Sequence, residues 1–184
     1  MNRRILTCAA ALMLSACTLC GCADSGSSSQ APASSAAETT KAAEISFADM
    51  KQLAADMAAA DSSLPEMLTV TDADADAEVS FASVSDMSYD KIAHYLLVYS
   101  AAGKADEICV IAVKDAADAE EAKKSLKSHA NARVRMYREY DATQVSRAEH
   151  AQVFEQGNYA VLIICDHADA VKAAFEAGIS QNAS

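Results

Sequence analysis

Glycine is scarce in this chain: five residues in 184, and beyond Cys22 only Gly26, Gly103, Gly157 and Gly178. So few leave no glycine-rich loop whose backbone amides could cradle a phosphate. Neither Gly-x-Ser-x-Gly nor His-Glu-x-x-His occurs, so the local signatures of a serine hydrolase elbow and a helical zinc protease are absent. Basic residues are in deficit, 15 Lys and Arg against 26 Asp and Glu. An excess of negative charge of this size excludes nucleic acid as a partner and gives no attraction to anionic lipid. Of six cysteines, only Cys109 and Cys165 lie beyond residue 22. The one long uncharged run, Ile5 to Leu19, is about fifteen residues, short of the ~20 that a spanning helix needs.

That run has a different meaning. Arg3 and Arg4 precede it, small residues and cysteines follow it, and the chain then turns polar, which is the layout of a secretory signal. Two lipobox-like sites fit, Leu14-Ser15-Ala16-Cys17 and Leu19-Cys20-Gly21-Cys22. Cys17 has the more typical residues before it, whereas Cys22 sits where the apolar stretch meets the polar chain, and Cys22 is the preferred lipidation site with Cys17 as the alternative. Residues 1–22 are thus expected to be a lipoprotein signal peptide, and the zinc- or redox-like spacing of Cys17, Cys20 and Cys22 loses its weight. With Arg3 and Arg4 removed the net charge moves from −11 to −13. The lipid must then supply the membrane contact, and two or three acyl chains anchor stably where one does not.

Residues 23–44, rich in Ser, Ala and Thr, cannot bury enough apolar surface to order themselves and read as a disordered tether. Residues 45–178 have the length of one domain, and 179–184 form a short tail. A helix is expected over 46–60, from Phe47, Met50, Leu53, Ala54 and Met57 at helical spacing behind a Ser46/Asp49 capping pair. Met67–Thr71 and Val79–Val84 are weak strand candidates around the acidic loop 72–78. Ser88–Lys91 reads as a helical turn. Ile92–Ser100 and Glu107–Lys114 form a hairpin, Asp115–Tyr140 a long helix with Ala119, Ala122, Leu126, Ala130, Val134 and Tyr137 on one face, and Gln152–Glu155 with Asn158–Cys165 a second hairpin about Gly157. A last helix is expected to be capped by Asp166 and ended by Gly178. The fold class is α+β: a two-layer sandwich on a mainly antiparallel sheet, α lead then ββαββα, with a long central helix.

Laid out this way, Leu64 to Ala177 resembles a family of small lipoproteins from Gram-positive anaerobes, the domain of unknown function DUF4358. The likeness lies in Leu64-Pro65-Glu66-Met67, in Asp106-Glu107-Ile108 opening a strand, and in the charged helix with Tyr137 and Tyr140. It continues through Gln156-Gly157-Asn158-Tyr159-Ala160-Val161-Leu162 and Asp166-His167-Ala168-Asp169. The resemblance implies a lipid-anchored envelope protein and no catalytic residues.

Several clusters invite chemistry. Asp72, Asp74 and Asp76 alternate as in a calcium loop, yet Ala77 and Ser83 stand where an EF-hand needs Gly and Glu, so they are weak metal candidates beside a solvated-loop reading. His94, His129 and His150 show no spacing that completes a metal site with His167, which is expected to point outward. Cys109 and Cys165 could form a disulfide if their strands are neighbours in register, or remain buried free thiols. The cations of the long helix, Lys123 to Arg138, alternate with Glu120, Glu121 and Glu139 as a solvated face does, or form an anion-binding strip.

The strands themselves are anomalous. Ile92/His94/Leu96/Val98 and Ala93/Tyr95/Leu97/Tyr99 are both largely apolar, so both faces of the sheet need cover. The long and C-terminal helices can cover one face and the first helix the other; if the first fails to dock, Tyr95, Tyr99 and Tyr159 become a candidate binding face. The expected function is a lipid-anchored extracytoplasmic binding or interaction module without catalysis, with no cofactor. Its partners would be the membrane, through the N-terminal lipid, and an envelope protein or small ligand. A cell-envelope accessory enzyme or inhibitor, and a small-molecule receptor, are the alternatives.

Overall fold

The computed structural model describes residues 46–181. The lipobox cysteines Cys17 and Cys22, the tether, and residues 182–184 lie outside the described residues. In chain order the elements are α1 (Met50–Ala59), β1 (Met67–Thr71), α2 (Ala77–Ala82), β2 (Ile92–Ser100), β3 (Glu107–Val113), α3 (Ala119–Tyr140), α4 (Val145–Glu149), β4 (Gln152–Gln156), β5 (Tyr159–Ile164) and α5 (Ala168–Ser180). The strands form one sheet in the order β1-β2-β3-β5-β4, and every neighbouring pair is antiparallel. This is the expected α+β fold with its antiparallel sheet and long central helix.

The sheet is covered on both faces, as its unbroken apolar strands require. All seven residues of β3 and all six of β5 are buried. One face presents Tyr95, Leu97, Cys109, Ile111, Leu162 and Ile164 to α2, α3 and α4. The other presents Leu96, Val98, Ile108, Val110, Val161 and Ile163 to α1 and α5. The C-terminal helix therefore lies with the first helix, not with the long one as expected. Gly178 is the physical reason the two can pack closely: a Cβ there would lie 2.6 Å from Leu53 Cδ1. Gly178 does not end α5, which continues to Ser180.

Local departures have equally local causes. Asp49, not Ser46, caps α1, its side chain accepting from the Gln52 amide at 2.8 Å, so the helix begins at Met50. Val79–Val84, expected as a strand, falls on and just past the short helix α2, which turns Phe81 onto Tyr95 with ring centroids 5.4 Å apart. A bulge between Ile92 and His94 shifts the alternation of β2, so Ile92 joins the α3 face while His94 meets Phe47 on the α1 face. Asp166 does not cap α5; His167 precedes its first residue without a side-chain capping bond. In α3 the expected face is buried at Ala119, Ala122, Leu126, Ala130 and Tyr137, with Val134 partly covered. Gly157 has φ +58°, the left-handed turn that the second hairpin needs.

Candidate functional site

The most site-like feature sits where β2 leaves the sheet and β3 enters it. Ser100, Ala101, Gly103 and Lys104 carry the turn between them, the end of α2 supplies Ser80, Ser83 and Val84, and α3 supplies His129 and Arg133. Between these walls lies a cleft of about 480 Å³, within the range of small-ligand sites.

At its base is Glu107, 3% exposed at the head of β3. A buried carboxylate persists only where partners compensate its lost hydration. His129 Nε2 stands 2.6 Å from Oε1, and Arg133 Nε stands 3.2 Å from Oε2. His129 and Arg133 are four residues apart on α3 and so lie one above the other. The Arg133 Nε–H is buried without a hydrogen bond, so its contact with Glu107 is an ion pair rather than a directed bond. The guanidinium is fixed otherwise: Nη2 donates to the Lys104 carbonyl at 3.1 Å, and its centre lies 4.9 Å from the Tyr137 ring centroid. Tyr137 in turn donates to the Gly103 carbonyl at 2.9 Å, so α3 clamps the β2–β3 turn from two sides. Burial pushes the Tyr137 phenol up.

The proposed aromatic face does not exist as a surface. Tyr95 is fully buried and donates to the Ala77 carbonyl at 2.6 Å. Tyr159 is on the opposite face of the sheet, where its hydroxyl accepts from the Ala48 amide at 3.0 Å. The first helix does dock, and α2 covers Tyr95; of the three tyrosines only Tyr99 borders the cleft.

Asp72, Asp74 and Asp76 do not converge. Asp72 meets His94 Nδ1 at 2.9 Å and accepts from the Tyr95 amide, Asp74 accepts from the Thr71 amide at 2.7 Å, and Asp76 meets Ser80. Among the described residues no group of three or more His, Cys, Asp or Glu side chains is arranged to hold a metal.

Cys109 and Cys165 are both buried free thiols. Cys109 belongs to the α3-facing core and Cys165 to the α1-facing core, so the sheet separates them; the possible disulfide does not form and the buried-thiol reading holds. Burial pushes the Cys109 thiol well up, and burial with a hydrogen bond to Asp61 lifts Cys165 to about 12. Neither is a ready nucleophile.

Around Cys165 lies a second, larger hollow of about 760 Å³ with Arg147, Asp166 and His167. Its charges are consumed internally. Arg147 bridges buried Asp106 at 2.9 Å and Asp166 at 2.6 Å. Asp61, 2% exposed, accepts from the Ser63 amide and hydroxyl and from the His167 amide and imidazole. Burial opposes its charge, yet these four bonds outweigh it and hold the carboxyl well below the usual range. His167 is therefore tied to Asp61 although its ring is largely exposed. Ser88 and Lys91 have the spacing of a Ser-x-x-Lys pair, but Ser88 donates to Asp90 and Lys91 is paired with Asp118 and Glu121.

The cleft's residues were missed because its contacts are tertiary. One signal was present: Glu107 is the acid that opens an otherwise apolar strand, and His129 and Arg133 fall on the inner side of α3.

The fold and cleft define a class: an α+β domain with an antiparallel five-stranded sheet, helices on both faces, and a polar cleft at one end of a central hairpin. Residues 80–165 match the family model of DUF4358, a domain of unknown function. The match begins in α2 and ends after β5, so it contains every residue named in the cleft and leaves α1, β1 and α5 outside. No curated protein and no solved structure matches the chain.

Proposed function

We propose that this chain is a lipid-anchored, extracytoplasmic binding module that takes a small ligand in the Glu107–His129–Arg133 cleft. The observation that carries the binding half is the cleft itself, with a charged base held rigidly by α3 and a half-buried tyrosine, Tyr99, at its wall. Binding is favoured over catalysis because the candidate nucleophiles are otherwise engaged: both thiols are held protonated, and the Ser83 hydroxyl donates to the Ser80 carbonyl at 2.6 Å. The anchoring half rests on the basic, apolar and cysteine-bearing layout of residues 1–22. Among the described residues no helix is long and apolar enough to cross a membrane.

The binding half is tested by thermal shift of the full-length chain against wall fragments, calcium, zinc and small metabolites. A ligand at about a hundred times its dissociation constant adds roughly 2.7 kcal/mol, and a shift abolished by Tyr99→Ser supports the cleft. A ligand whose shift survives Tyr99→Ser, or a silent panel, sinks it. For the anchor, mass spectrometry of the membrane-extracted protein should find the acyl mass on the peptide beginning at Cys22. An unmodified N-terminus would refute the anchor, and acylation at Cys17 would move it.

A further inference from the structure

We infer that the cleft selects a small anion, a carboxylate or phosphate monoester on a compact apolar body; this rests on the cleft being the ligand site. The one carboxylate at the base of the cleft is already charge-compensated, which disfavours a cationic ligand. Glu107 is the only acid in its lining, and its two oxygens are taken by His129 and Arg133. What remains is an excess of donors. Of the Arg133 guanidinium, Nη2 is used on a carbonyl and Nε faces Glu107, while Nη1 has no protein partner among the described residues. Lys104, on the rim, has no carboxylate within ion-pair reach among the described residues. Two cations thus face one acid already in use, in a chain whose net charge is −11. A guanidinium whose orientation is set beforehand is suited to a planar or tetrahedral oxyanion, because little ordering remains to be done on binding.

The other wall selects what the anion is attached to. Leu97 and Val84 are buried side chains that reach the cleft, and Tyr99 adds an aromatic edge. A volume of about 480 Å³ accommodates a ring or short branched chain beside the charged head.

The test uses the detergent-solubilised full-length chain and four probes built on one phenyl ring: benzoate, phenyl phosphate, benzamide and benzylamine. Binding is read by calorimetry and by the backbone amide signals of Tyr99, Lys104 and Arg133. Benzoate and phenyl phosphate should shift those signals and bind at least fivefold tighter than benzamide. Lys104→Gln, whose side chain holds nothing in the fold, should lower the affinity for both anions about fivefold and leave benzamide unchanged. Equal or tighter binding of benzamide or benzylamine, or an unaltered Lys104→Gln affinity, would overturn the anion selectivity while leaving the cleft as a ligand site. If no probe moves the three signals, the selectivity and the cleft reading both fall. Benzoate without phenyl phosphate, or the reverse, identifies which oxyanion geometry fits.

Discussion

The two faces of the sheet are closed by different means. On the α1/α5 face the cover is apolar and close: Phe154, Tyr159 and Phe175 meet edge to face at 5.7 Å, and Gly178 lets Leu53 press against the helix backbone. On the α3 face a helix of 22 residues covers the strands together with the short α2 and α4, and polar groups are built into the contact. Ser125 bonds Asp86 and Ser85, His129 and Arg133 hold Glu107, and Tyr137 reaches the Gly103 carbonyl. A face closed mainly by methyls and rings packs with few directional demands. A face closed by directed bonds leaves the gaps that those directions impose, and the cleft is one of them. The family match covers this second face and omits both helices of the first.

The largest expected effect breaks the apolar face. Phe175 is fully buried between two other rings, so Phe175→Ala removes its transfer energy and leaves a cavity, costing about 3–5 kcal/mol. Chemical denaturation measures that cost. Where the variant still folds, the amide signals of Tyr99, Lys104 and Arg133 should stay in place, because the sheet stands between the cavity and the cleft.

On the polar face the corresponding change is Glu107→Gln. It leaves the Arg133 charge without its counter-ion, and breaking a buried pair from one side costs about 3–5 kcal/mol. Arg133 and His129 keep some access to water, with side-chain exposures of 19% and 15%, so a value of about 2–3 kcal/mol is expected. Unlike Phe175→Ala, this change should also move the His129 ring signals in a proton spectrum. An unmoved His129 would show that the Glu107 contact does not set its orientation.

A third change tests the clasp between the end of α1 and the start of α5. Asp61→Asn loses charge from four hydrogen bonds and should cost about 2 kcal/mol. The sign with pH follows from the depressed pKa. Asp61 binds a proton more weakly folded than unfolded, so its contribution is complete above the unfolded value, about 4, and is lost as pH falls toward the folded one. Melting temperatures from pH 5 down to 2 should fall less steeply for Asp61→Asn than for the parent. Parallel curves would contradict this.

How much of this was readable in the chain follows the range of the forces involved. The hairpins and the inner face of α3 were legible because alternation and 3.6-residue spacing are local. That both sheet faces needed cover was legible too, from Ile92–Ser100 and Asn158–Cys165. Which helix went to which face was not: α5 joins α1 through a close approach at Gly178 that no local pattern encodes. Val79 and Phe81 alternate like a strand, but an isolated six-residue segment is decided by its packing on Tyr95 and Tyr89. Glu107 with His129, and Asp61 with His167, join residues 22 and 106 apart, and a single sequence does not specify such pairings.

The smallest effects separate two tyrosines that the sequence treats alike. Tyr95 and Tyr99 point to the same side of β2, four residues apart, yet one is a core residue and the other a cleft wall. Tyr95→Phe keeps the ring and deletes one buried hydrogen bond, the one donated to the Ala77 carbonyl, costing about 1 kcal/mol. Tyr99 is half-buried and its hydroxyl makes no hydrogen bond among the described residues, so Tyr99→Phe should stay within about 0.5 kcal/mol of the parent. Denaturant midpoints at unchanged slope measure both. Equal losses would mean that the edge of the cleft is packed as tightly as its core, and the distinction between a wall that binds and a wall that only supports would disappear.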